Sequence, residues 1–232
     1  MKPIPRFRGP SILLLASVHI VLFVAGLVAG SVLRHSGSFV TPFAPSEQLR
    51  MFIAQSPMAM RVSSFFLFGS AVPFGIFAVT TVSRLRFMGV RAAGTNITLL
   101  GGLVATIALF FSGAAGWILS VPDVSDSPAV VKAIYFLSFL CGGVLYAIGF
   151  GLLAAGVSVT SYFRRLLPRW LTFLGILLAI TGELSWFSLI AYPANFFIPI
   201  TRYVGFVWML LAAIALTRGR KTLESASTGD SL

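Results

Sequence analysis

Six apolar runs, each about as long as the roughly 20 helical residues that cross a hydrocarbon layer of about 30 Å, divide the 232-residue chain. Inside lipid no backbone donor or acceptor can be left unpaired, so runs of this length are read as helices that close their hydrogen bonds internally. The predicted spans are 11–33, 62–83, 95–119, 129–160, 170–190 and 199–217. Only 10% of residues are charged, against about a quarter in soluble domains, which removes an ordinary soluble fold from consideration. The expectation is an all-α polytopic protein. One six-helix bundle occupies residues 1–220, and 221–232, which lack periodicity, form a disordered tail. The first run is too long for a signal-peptide core, and Gly30-Ser31-Val32-Leu33-Arg34 is a poor cleavage site, so it is read as a permanent anchor.

Charge falls between the runs in an alternating pattern. Lys2, Arg6 and Arg8 precede the first span; Arg84, Arg86 and Arg91 separate the second from the third. Arg164, Arg165 and Arg169 separate the fourth from the fifth, and Arg218, Arg220 and Lys221 follow the sixth. Twelve of seventeen basic residues thus lie on one side, which under the positive-inside rule places both termini in the cytoplasm. The net charge of +11 is therefore read as a topology signal that also attracts anionic lipid, and not as a nucleic-acid footprint.

The loop between the first two spans is long enough for structure. Pro45-Ser46-Glu47-Gln48 followed by Leu49, Phe52 and Ile53 predicts a short amphipathic helix ended by Pro57. It is expected to anchor on the outer membrane surface, with a lid over a cavity as the other reading. Within the spans, Gly143, Ala147, Gly151 and Ala155 recur every four residues, as do Gly26 and Gly30, and such small-residue stripes let membrane helices approach closely. Pro73 is expected to kink the second span. Asp123 and Asp126 read as solvated turn residues.

Ionisable groups inside lipid are costly and point to function or to a partner. Glu183 lies thirteen residues beyond Trp170, roughly 20 Å deep, and Arg202 lies just inside the sixth span. Both are equidistant from a hairpin tip expected at Tyr192-Pro193, so the two are expected to approach one another, either as a structural ion pair or as a proton or solute site. Ala179, Gly182 and Trp186 share the Glu183 face, which is expected to pack inward. His19 falls near the middle of the first span and is a third candidate.

No metal centre or cofactor is expected. His19 and His35 stand sixteen residues apart along one helix, roughly 24 Å, which does not suit a two-histidine haem. Met51, Met58, Met60 and His35 form at best a distant copper candidate. The single cysteine, Cys141, excludes an internal disulfide. No nucleophile, phosphate-loop or zinc motif is present, which weighs against an enzyme.

Tyr146-Ala147-Ile148-Gly149-Phe150-Gly151, and Leu166-Leu167-Pro168-Arg169-Trp170-Leu171 leading into the fifth span, resemble a group of bacterial six-helix membrane proteins catalogued as a domain of unknown function. The long first loop, with Arg61 opening the second span, fits the same pattern. The resemblance implies an all-helical fold in the bacterial cytoplasmic membrane, and no activity. The function expected is small-solute or proton transport through a polar site at Glu183, Arg202 and His19. The alternative is a non-catalytic partner or sensor subunit, bound to another membrane protein or to its own copies.

Overall fold

The computed structural model describes residues 9–34 and 40–229, so Lys2, Arg6, Arg8 and His35 lie outside the described residues. The described chain is helical throughout and carries six helices long and apolar enough to cross a membrane. It is a multi-pass membrane protein. The first span is α1 (Ile12–Val32), opened by Ser11, whose hydroxyl accepts the Leu14 amide as an N-cap. The second is α3 (Pro57–Phe87), which starts five residues earlier than the apolar run because Pro57 is well suited to the first helical turn. The third is α4 (Ala93–Ile118).

After the short α5 (Pro122–Ser125), the fourth span runs from α6 (Pro128–Phe139) through a π-helical turn (Leu140–Leu145) into α7 (Tyr146–Arg164). Arg165, at φ 53°, ends it in the left-handed conformation. The fifth span is α8 (Arg169–Leu184) with a 3-10 turn (Ser185–Leu189). The sixth opens with another 3-10 turn (Tyr192–Phe196) and α9 (Phe197–Pro199), passes through a second π turn (Ile200–Val204) and ends in α10 (Gly205–Gly229). The backbone of 221–229, expected to be disordered, continues α10. It holds the helix formers Lys221, Leu223, Glu224 and Ala226, and extending an existing helix avoids the cost of nucleation.

The spans form a ring in the order α1, α3, α4, α6–α7, α8 and α10, which returns to α1. The tightest contact joins α4 to α7. A methyl group added at Gly101 would meet the Leu153 amide nitrogen and the Gly149 carbonyl, and one at Gly149 would meet the Ala105 amide nitrogen. Gly94 and Gly156 repeat the relation one heptad away. The stripe on the fourth span serves other neighbours: Gly143 faces Ile198, while Ala147 and Gly151 lie against Gly182 of α8. Gly26 and Gly30 seat α1 on Ser63 and Phe66 of α3, where the Ser63 hydroxyl donates to the Gly26 carbonyl at 3.0 Å. Since lipid is as apolar as these side chains, this close backbone packing is what holds the helices together.

The amphipathic helix α2 (Ser46–Gln55), expected to anchor on the outer membrane surface, turns its apolar face to the protein. Leu49 and Ile53 are fully buried against Leu119, Val131 and Tyr135, so its apolar face is satisfied by the protein. Its polar face carries the Glu47–Arg50 pair at 2.6 Å, and Arg50 holds the exposed Glu47 carboxyl below its ordinary range. Only Ser56 separates α2 from α3.

A candidate solute site around Arg202

Beneath α2, in the half of the bundle remote from the termini, lies a cavity of about 450 Å3, within the usual range for small-molecule sites. Its walls come from α1 (Phe23, Leu27), α2 (Phe52, Ile53), the first turns of α3 (Met60, Leu67) and the fourth span (Phe139). Arg202 closes the inner end, and Arg34 stands at the other end of the α1 wall. Phe23 and Ser31, both in the lining, are eight residues apart on α1, which makes that wall roughly 12 Å long, with Arg34 just past the helix end. Arg34 lies 5.1 Å from the centre of the Phe52 ring and so ties the end of α1 to α2.

The guanidinium of Arg202 sits between two rings, 5.0 Å from the centre of Phe23 and 4.7 Å from that of Tyr146. Phe23 is the twelfth residue of the 21-residue α1, so the charge lies near mid-depth. Its Nη2 donates to the carbonyl of Gly142. Donor and acceptor both belong to π turns. A π turn shifts hydrogen bonds from i→i−4 to i→i−5 and so frees a carbonyl from the regular ladder, and such turns recur at functional sites. The first π turn contains the pair Gly142-Gly143, and the second follows Pro199, which lacks the amide that would continue the ladder. Among the described residues no other group hydrogen-bonds the guanidinium: Nε is shielded and without a partner. The described lining contains no Asp or Glu.

The expected approach of Glu183 to Arg202 does not occur. Thr201 donates instead to Thr181 at 3.0 Å, which places the hairpin tip at Ala191 and not at Tyr192-Pro193. Glu183, two residues beyond Thr181, is turned by about 200° around α8. It is exposed on the outside of the bundle, although its neighbour Gly182 packs on Gly151. The two 3-10 turns at the hairpin, invisible in a count of residues, move the register.

His19 is fully buried, with Nδ1 2.9 Å from the Ser70 carbonyl and Nε2 unpartnered. Its ring packs on Phe74 at 4.9 Å and Phe206 at 5.5 Å, and Phe23 stands between this group and the cavity. Pro73 lies within a continuous α3, and the carbonyl that His19 meets is in the turn that the proline ring loosens. The structure thus brings His19, Tyr146 and Arg202 to one level and leaves Glu183 apart. Toward the termini, Thr81, Ser158, Thr160 and Ser161 bury hydroxyls that have no partner.

Sequence reasoning passed over Tyr146, Phe23 and Gly142, the three residues that hold Arg202. The double glycine at 142–143 and Pro199 next to Arg202 were the available signals, since both weaken a regular helical ladder. Compared with family models, with curated proteins and with solved structures, the chain matches none of them.

Proposed function

We propose that the protein carries a small solute across the membrane, and that the cavity around Arg202 is where the solute is held. The observation that carries this reading is a mid-depth guanidinium that faces a cavity with one protein hydrogen bond and no acidic residue in the described lining. An arginine keeps its proton inside proteins, and a lone charge in a low dielectric is costly unless something else meets it. A bound solute meets that need. The unpartnered hydroxyls between Arg202 and the termini supply polar groups along the remaining depth. Glu183, turned outward, takes no part, and proton transport loses the carboxylate on which it would depend. The basic loops orient both termini toward the cytoplasm, where they also meet anionic lipid, and the membrane is the bacterial cytoplasmic one.

The test is thermal stability of the purified protein against a panel of sugars, amino acids, amines and organic acids, followed by uptake of the stabilising compound into proteoliposomes. A solute present at one hundred times its Kd stabilises by about 2.7 kcal/mol, a readily visible shift in Tm. A saturable shift and uptake, both lost in Arg202→Gln, are the expected result. If no compound shifts Tm or is taken up, and a second membrane protein reproducibly co-purifies, the protein is a partner subunit instead.

A further inference from the structure

We infer that the solute is a singly charged organic oxyanion, a carboxylate on an extended apolar body, with its head at Arg202 and its tail running toward Arg34 and α2. This rests on the reading of the cavity as a solute site and adds the chemistry of the solute. The charge comes first. Arg202 is the cation at the inner end, and no acidic side chain in the described lining competes for it. One guanidinium matches one carboxylate, and Arg34, the other cation of the lining, is already taken up over the Phe52 ring, so a second anionic group would have no equal partner. The planar fork of arginine suits a carboxylate, and one arm alone is occupied, by Gly142.

The walls decide the rest. The cavity counts many serines, which at first sight would suit a sugar or another polyol. Four of the six lining serines have already given up their hydroxyl protons: Ser31 donates to the Leu27 carbonyl, Ser63 to Gly26, and Ser112 and Ser138 to each other's carbonyls. A polyol would find few free partners, and each unpaired hydroxyl would carry its desolvation cost. What remains exposed to a ligand is carbon, from Phe23, Leu27, Phe52, Met60, Leu67 and Phe139. A cavity that follows α1 from Phe23 to Ser31, roughly 12 Å, with its available cation at the inner end, calls for an elongated, one-headed molecule.

The experiment is isothermal titration of the full chain in phosphatidylcholine nanodiscs, with empty nanodiscs subtracted. The probes are octanoate, 1-octanol, octylamine, acetate and octyl phosphate. Octanoate is expected to bind at least about tenfold more tightly than octanol, octylamine or acetate, because a charge-assisted hydrogen bond contributes on that scale. Arg202→Gln is expected to bring octanoate to the affinity of octanol, and Arg202→Lys to fall between. The probe series on the unaltered protein decides the matter even if Arg202→Gln fails to fold. Octanol equal to octanoate, or octylamine above it, overturns the anion; acetate equal to octanoate overturns the apolar body; octyl phosphate above octanoate assigns the site to a phosphate head. In each case Arg202-dependent uptake of another solute leaves the transport reading standing. If no probe binds and nothing is taken up, both readings fall together.

Discussion

At the scale of single residues, the two intramembrane charges have separate fates. Arg202 is enclosed by rings and a carbonyl, while Glu183 faces outward one step around α8 from the packed Gly182. A buried ion pair broken at one partner loses about 3–5 kcal/mol. Glu183→Gln should change stability by no more than about 0.5 kcal/mol, as exposed sites do. In a double-mutant cycle with Arg202→Gln, followed by thermal melts in detergent, the coupling energy should stay below about 0.5 kcal/mol. A coupling of several kcal/mol would restore the pair and remove the basis for an unmatched cation in the cavity.

Between elements, stability rests on how closely backbones meet. At Gly101 a methyl group has the rigid backbone of Leu153 and Gly149 in its way, whereas at Gly69, inside α3, nothing lies within 4 Å. Gly101→Ala should therefore cost about 1–3 kcal/mol, the usual penalty of overpacking. Gly69→Ala should be neutral or gain up to about 1 kcal/mol from helix propensity. A lowered Tm for Gly101→Ala beside an unchanged or raised Tm for Gly69→Ala would confirm that contact and not composition holds the bundle; equal losses would refute it. The six spans were legible because length and hydropathy are local properties. The α4–α7 contact was not, since Gly94, Gly101, Gly149 and Gly156 carry a seven-residue spacing on two different helices and only their facing makes a seam. The 3-10 and π turns of the last hairpin were equally hidden, because each shifts register by a residue without altering hydropathy.

For the whole molecule, an even number of spans puts both termini at one end of the ring and the Arg202 cavity toward the other. In the orientation proposed from the alternating charges, the termini face inward. In a Cys141→Ala background, a cysteine at Asp123 should react with a membrane-impermeant maleimide on intact cells, and one at Ser227 only after permeabilisation. The reverse pattern would invert the molecule and open the cavity to the cytoplasm.

The glycine seam has a mechanical meaning as well. Backbones in direct contact have no side chain between them to deform, so α4 and α7 can neither roll nor slide past one another and form a fixed frame. Gly102 against Ala78 fastens α3 to that frame, and Gly182 against Gly151 fastens α8. The last span is held differently, through side chains such as Phe206 on Phe23 and Trp208 on Phe150, and its regular winding is interrupted beside Arg202. On the proposed transport reading, the stroke that carries a bound charge from one face of the bilayer to the other would fall to this one span, turning against a frame that stays still.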